Sequence, residues 1–561
     1  MHTSMAVPRF KANYCIMAAQ MDGIRRILEA HRGGNSPLVA IHEFVRAHGL
    51  PDPNQVKRLS QELALPEAAL RGALSYYSDL HESSGAARIC IGTSCVLAGS
   101  KDLLAAASKQ TPCRGVYCVG FCDRSPAALR SDDRVVALNG HPSVEPLLEL
   151  AVSEPARPAI RSVSNQTIVT RRIGRGDFSE LAAARTDGAY ETLAKVRRMR
   201  PEDVLSAMEQ SGERGRGGAA FPTGTKWRRC AEVDSASKYV IANGDEGDPG
   251  SFIDRVLMED DPHCILEGMA ICGHAVGARE GVVYIRSEYP RAIERMRGAV
   301  AAASAAGLLE DFKPSVVTGM GSYVCGEETA MLNAIEGLRG EVRLRPPYPV
   351  VEGLFGKPTV VDNVETLVNV PWILEHGSAE YAALGTKASP GTKALCLNHG
   401  FANPGILEIE FGRSLRDVIE GDAGGAAHGK RLEAVLIGGP MGSVALPNQW
   451  DVPICYEAMA QRSLNLGHGG LLAVPEGTNI RALFLHWIEF MAEESCGKCV
   501  PCRLGSRRAL ELARTAGAAN SLPQLERLFD VMAQGSLCAF GQQMPGPMSQ
   551  ILQYFGDRVL E

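Results

Sequence analysis

Three cysteines spaced C-x2-C-x2-C, at Cys496, Cys499 and Cys502 in SCGKCVPCRLG, with a fourth at Cys538 in SLCAFG, form the most specific chemical signal in the sequence. Three thiolates on one tight turn can each hold a different iron of a cubane, and a distant fourth completes the ligand set of a 4Fe-4S cluster. Zinc sites usually pair two C-x2-C or Cys/His units, so this spacing favours iron and sulfide. A second set joins Cys90 and Cys95 (C-x4-C) with Cys118 and Cys122 (C-x3-C). Each pair lies at a strand-to-loop junction, where the two can meet on the irons of a 2Fe-2S cluster. Cys113 is near enough in sequence to replace one of them, and a disulfide or a zinc ion would also satisfy this set. Eight of the 16 cysteines remain; most sit in apolar segments, where a thiol packs as a small hydrophobe.

Three loops carry further chemistry. GERGRGGAAFPTGTKW holds G-x-G-x-x-A at Gly215, Gly217 and Ala220. A helical pattern precedes it, so the strand-first dinucleotide fingerprint does not apply. Its bare N–H groups, with Arg216 and Lys226 as cations, suit a phosphate. NGDEGDPGSF places Asn243, Asp245, Glu246 and Asp248 after the strand-like KYVIAN, at a sheet edge where open α/β folds bind ligands. Carboxylates there repel phosphate and accept hydrogen bonds from a polyol such as ribityl or ribose. TGMGSYVCGEET offers Gly319, Gly321 and Gly326 as room for a flat ring, and Glu327 and Glu328 in a first helical turn, where the helix dipole also favours them.

These residues need several domains to position them. At 561 residues the chain exceeds a single core; 58 basic and 64 acidic residues give a net charge of -6, which suits neither nucleic-acid coating nor disorder. The N-terminus lacks the apolar run of an export signal and the Ala-rich AVAAASAAGLL is too short to span a bilayer, so a cytoplasmic chain with reduced thiols is expected. Apolar spacing of three and four predicts an N-terminal helical bundle (1–85), including GIRRILEAH, LVAIHEFVRAHG and EAALRGALSYYS. A compact α/β unit follows (86–152), then a Pro/Ser/Arg-rich linker (153–200). Strands and helices alternate over 201–392, implying a parallel sheet. Short strands with one helix (393–476) and a helical tail (477–561) complete the chain.

RGRGGAAFPTGTKW, NGDEGDPGSF, YVCGEET, RPPYPVVEGLFGKPTVVDNVET and ESCGKCVPCR, in this order, closely resemble the NADH-binding flavoprotein subunit of respiratory complex I. Its soluble relatives are the diaphorase subunits of NAD-reducing hydrogenases and the beta subunits of NAD-dependent molybdenum or tungsten formate dehydrogenases. The resemblance implies a multidomain α/β fold with a thioredoxin-like 2Fe-2S domain, a Rossmann-like FMN/NAD domain, a β-grasp (ubiquitin-like) domain and a C-terminal helical bundle carrying the 4Fe-4S cluster. It implies FMN contacts at Gly215, Arg216, Gly217, Gly218, Lys226, Asn243, Asp245, Glu246, Tyr323, Gly326, Glu327, Asn363 and Thr366. NAD would lie near Phe221, Asp248, Glu328, Arg345 and Tyr348. The family usually has Glu at Asp248, Lys at Arg345, Phe at Tyr348 and an aromatic at Arg229; Arg229 and Arg345 are each placed to reach a 2'-phosphate. Fusion of the N-terminal unit points away from complex I itself and is shared by the diaphorases of some hydrogenases; the presence of all four of its cysteines and the short Cys95 to Cys118 spacing favour the formate enzymes. The implied partner is then a catalytic subunit with a molybdenum or tungsten site, or a nickel-iron site in the hydrogenase alternative, in a hetero-oligomer. A flavin-free iron-sulfur scaffold is the remaining alternative.

Overall fold

A computed structural model describes residues 36–81, 85–140, 142–148, 154–515 and 521–560. The expected helix at 23–31 and Cys15 lie outside the described residues. Four parallel strands form the central sheet, in the order Lys313–Thr318, Glu280–Ile285, Tyr239–Gly244, Thr359–Asn363. Alternation along Tyr239–Gly244 sends Val240 and Ala242 to one face and Ile241 to the other, and both faces are buried. Helix Pro262–Val276, apolar nearly all round, covers the first face.

The second face is covered by a part of the chain expected to stand apart. Helices Pro37–His48, Pro53–Glu62 and Glu67–Tyr76 each bury one apolar stripe, and Leu38, Ile41, Phe44, Leu59 and Leu70 share a core with Ile241, Tyr284 and Val317 of the sheet. They form a layer over the central sheet instead of a free-standing bundle. Ser36 pins the first of them: its hydroxyl caps the helix at Leu38 N–H and donates to the Ile335 carbonyl at 2.6 Å.

The unit beginning near residue 86 is a mixed sheet ordered Cys113–Val116, Ala87–Cys90, Ala127–Leu129, Val135–Ala137, with only the first pair parallel. The segment expected to be a linker is ordered over 154–200. Its strand Ile160–Ser162 extends a six-stranded sheet beside Gly405–Glu410. The fully buried Glu408 carboxylate accepts from the N–H groups of Ile168, Val169 and Thr170 and from the hydroxyls of Thr170 and Thr392. One buried acid thus takes up the donors of a turn that has no periodic pattern. The tail is helical, from Ile480–Glu494 to Pro545–Leu560. Among the described residues no helix is long and apolar enough to cross a membrane.

Burial lowers the pKa of His263 to about 4 and of His486 to about 3. Both stay neutral in the fold but titrate near 6.5 in the unfolded chain, which then binds protons that the native chain refuses. Each histidine therefore withdraws about 1.4 kcal/mol of stability per pH unit as pH drops from 6.5 toward 4, opposed by Asp261 and Glu494, which burial raises to about 6 and about 7 and which take up protons first in the fold. In His486→Gln the denaturant midpoint should therefore lose less than the native chain's as pH drops across that window, and an identical pH profile for the two proteins would contradict this.

Candidate functional site

The strand order places a topological switch point between Tyr239–Gly244 and Thr359–Asn363, because successive strands leave the first of these in opposite directions. Asn243 and Asn363 are paired there in register. The three loops predicted to bind a ligand converge on this edge. The Arg216 N–H donates to Thr366 Oγ1 at 2.9 Å, and a Cβ on Gly217 would stand 3.1 Å from the Asn363 side chain. Asn243 Nδ2 donates to the Gly326 carbonyl at 2.9 Å, joining the acidic loop to the third loop, and a Cβ on Gly326 would press on the Asp245 carbonyl at 3.2 Å. Gly218 has φ +115°, a conformation that only glycine adopts easily. The cradle is therefore backbone-lined where Gly215, Gly217, Gly218 and Gly326 stand, as a close-lying phosphate and ring require.

Two charged residues are placed otherwise than expected. Arg216 is not the phosphate cation that its loop position suggests, because its guanidinium is fully buried: Nη2 donates to Glu213 at 2.6 Å, to the Tyr381 hydroxyl at 2.7 Å and to the Pro390 carbonyl at 3.0 Å. Only its backbone N–H belongs to the loop, so Lys226 is the cation left, with Nζ 2.8 Å from Asp362 and 2.7 Å from the Val361 carbonyl. Glu246 is not a free sugar acceptor either. Its carboxylate takes the N–H groups of Asp254 and Arg255 at 3.1 and 3.0 Å, along with the Ser251 hydroxyl. It caps helix Ile253–Asp260, a use that no linear pattern discloses.

Around this edge, burial pushes the Asp245 carboxyl well above the usual carboxylate range, against the opposing pull of Arg286. Tyr323 donates its hydroxyl to Asp248. Glu327 caps helix Glu328–Ile335 through Thr329 and Ala330, while Glu328 pairs with Arg345 at 2.9 Å. Arg345 lies 5.9 Å from the Tyr348 ring and Arg229 lies 5.8 Å from that of Phe221. Both rings are exposed. His468 is an addition from the structure. The Gly470 N–H donates to its Nδ1, which leaves the proton on Nε2, 3.5 Å from Asp248. Its only sequence signal is a histidine among glycines in LGHGG.

Both cysteine sets converge. Cys499 is the N-cap of helix Val500–Arg514 and Cys538 that of Ala539–Gln543. Cys496, Cys502 and Cys538 are buried in one core. Cys90, Cys95, Cys118 and Cys122 are nearly or fully buried, with the Cys118 and Cys122 sulfurs 3.6 Å apart. The Cys90 thiol is lowered to about 7, chiefly by the Cys95 thiol and further by backbone N–H groups of Gly92, Val119 and Cys118. Cys113 stands aside: its sulfur meets Ser108 at 3.3 Å and it packs with a different cluster of side chains. Among the described residues every cysteine is a free thiol, and no His, Cys, Asp or Glu group is gathered around a single metal ion. Iron-sulfur clusters spread their thiolates over several irons instead of one.

Replacing Glu246 by Ala strips the cap from Ile253–Asp260 and loosens the acidic loop. The variant should retain less FMN after gel filtration, measured by flavin released on denaturation. Full flavin content with an unchanged Michaelis constant for NADH would refute that role.

Residues 208–372 match the family model described as the Nuo51 FMN-binding domain, and residues 482–561 match the one described as the NADH-ubiquinone oxidoreductase-F iron-sulfur binding region. The chain is 40% identical over 402 residues to the HndC component of the NADP-reducing hydrogenase of Solidesulfovibrio fructosivorans, covering 70% of this chain and 82% of that one. It is 37% identical over 403 residues to the NuoF-type component (F 2) of the NADH-quinone oxidoreductase of Rhizobium meliloti, covering 70% and 96% respectively. A chain of the air-oxidized NAD+-reducing NiFe-hydrogenase crystal structure superposes with a TM-score of 0.81 at 28% identity, covering 94% of this chain and 93% of that chain. That superposition reaches into the N-terminal unit, beyond the 70% shared with the two sequence relatives. The glycine cradle at the switch point and the capped cysteine turn lie inside the two matched regions, and the chain belongs to the complex I 51 kDa family of NADH- and FMN-binding electron-transfer flavoproteins with a 4Fe-4S region.

Proposed function

We propose that this chain is the NAD-linked diaphorase module of a complex in which a molybdenum or tungsten partner subunit oxidises formate, and that Cys90, Cys95, Cys118 and Cys122 hold a 2Fe-2S cluster. Bound FMN supplies the exchange of a hydride with nicotinamide and of single electrons with iron and sulfide. The chain's own part is to hold, orient and keep dry. The N–H groups of the first loop and Lys226 receive the phosphate; Asn243 and Asn363 fix the edge against which the ring lies; Phe221 and Tyr348 offer faces to the nucleotide.

The observation that carries this reading is an aromatic seam linking the nucleotide edge to both cysteine loops. Tyr323 of the third loop lies 4.9 Å from Phe490 and 5.7 Å from Phe540, two residues beyond Cys538, while Tyr117, next to Cys118, lies 4.7 Å from Phe490. These rings pack against one another between the nucleotide edge and the two cysteine loops.

Formate as donor rests on the complete cysteine set of the N-terminal unit and the short spacing from Cys95 to Cys118. Hydrogen is a second reading, favoured by the near full-length likeness to a chain of an NAD+-reducing NiFe-hydrogenase and by the identity with a hydrogenase component. The purified complex, given formate or hydrogen as sole donor without oxygen, decides between them. Formate-driven NADH formation is expected; NADH formed from hydrogen and not from formate selects the second reading.

A further inference from the structure

The carbonyls of the Cys118 to Cys122 turn are held largely from outside the N-terminal unit. Arg286, buried just after strand Glu280–Ile285, donates from Nη1 to the carbonyls of Cys118 and Glu246, both at 2.8 Å, and from Nη2 to that of Tyr117 at 2.7 Å. Arg255 Nε donates to the Gly120 carbonyl at 2.9 Å, but its charge is paired with Glu259 at 3.0 Å. Gly120 has φ +76°, and a Cβ there would stand 2.7 Å from the Tyr289 ring, whose hydroxyl donates to the Glu246 carbonyl. One guanidinium therefore touches both the cysteine turn and the acidic loop of the flavin edge.

We propose that Arg286 is the positioning residue that sets the reduction potential of the N-terminal cluster, by locking the Cys118 turn and holding a buried positive charge beside it. The role rests on the reading of Cys90, Cys95, Cys118 and Cys122 as 2Fe-2S ligands. Reduction adds one electron, and hence one negative charge, to the cluster. A cation held in a water-poor interior stabilises that state over the oxidised one, and salt screens it little. Two carboxyls face Arg286: Glu288 at 3.1 Å and Asp245 at 3.6 Å. Glu288 is the nearer of the two, which makes it the principal counter-charge. The two partners of the pair should thus move the potential in opposite directions.

The test is a redox titration of the purified complex, following the EPR signals of both clusters. Arg286→Gln should lower the reduced-to-oxidised ratio of the 2Fe-2S cluster at fixed potential by about tenfold, or 59 mV for a one-electron couple. Glu288→Gln, which leaves the guanidinium without its counter-charge, should raise that ratio. The 4Fe-4S signal should titrate within twofold of the native protein in both variants. An Arg286→Gln cluster titrating within twofold of native, or both variants shifting the same way, overturns the role. If Arg286→Gln fails to assemble, Glu288→Gln decides alone: a raised ratio supports the role and an unchanged one overturns it. Absence of any 2Fe-2S signal from the native complex overturns the ligand assignment, and this role with it, whatever the variants do.

Discussion

Cys499→Ser should abolish the 4Fe-4S EPR signal and lower NADH-driven electron delivery to the partner subunit by at least about 100-fold, the upper range seen even for losses around a metal site's ligands. The serine hydroxyl is a poor ligand at neutral pH, and Cys499 holds the capping position on Val500–Arg514. The three remaining cysteines are not free to rearrange: Cys496, Cys502 and Cys538 are packed with Phe540, Met532 and Met544. Burial raises the Cys502 thiol to about 12 and that of Cys538 to about 11, so metal binding must displace protons there and contributes to holding this core together. NADH-driven reduction of a dye at the flavin edge should survive, because Gly217, Asn243 and Asn363 are untouched. Persistence of the EPR signal would show that the ligand set is wrong.

Lys393→Met should destabilise the chain by about 3–5 kcal/mol, as expected when one partner of a buried ion pair is removed and the other charge is left behind. Lys393 Nζ and the Glu365 carboxylate are in direct contact with both side chains shut off from water, and Glu365 also accepts from the Ala394 N–H at 3.0 Å. The pair joins strand Thr392–Leu397 of the six-stranded sheet to helix Val364–His376, whose first turn carries Thr366. FMN retention should therefore fall together with stability. Adding Glu365→Leu to Lys393→Met should recover more than half of the loss, a coupling that independent sites do not show. Denaturant midpoints of the two single variants and the double variant measure it. A single-variant loss below about 1 kcal/mol, the scale of exposed pairs, would refute the assignment.

The parts of the molecule written in local pattern are legible in the sequence. Alternating strands and helices over 201–392 correspond to the parallel sheet with its covering helices, and C-x2-C-x2-C marks a turn that the structure caps and buries. The less legible parts depend on contacts between distant residues. Leu38 and Phe44 have the spacing of any amphipathic helix, and nothing in that spacing says that the stripe lies on Tyr284 and Val317. The segment around Ile168 has no periodicity because Glu408, some 240 residues away, satisfies its backbone. Residue type and loop position point Arg216 and Glu246 toward a ligand. Their burial gives them to Glu213 and to a helix N-terminus, and a buried charge goes first to the partner that neutralises it. Arg286 is hidden for the opposite reason: it stands in an ordinary strand-end sequence, YIRSEYP, and its three carbonyl acceptors are contributed by two other segments.

The most direct test is to measure flavin, iron and acid-labile sulfide in the purified chain and to record EPR spectra after reduction with NADH alone. Releasable FMN is expected together with two distinct iron-sulfur signals, one 4Fe-4S and one 2Fe-2S, with the first lost in Cys499→Ser and the second in Cys118→Ser. A colourless protein that holds zinc without acid-labile sulfide would contradict the assignment of this chain's cysteines and glycine cradle to redox cofactors.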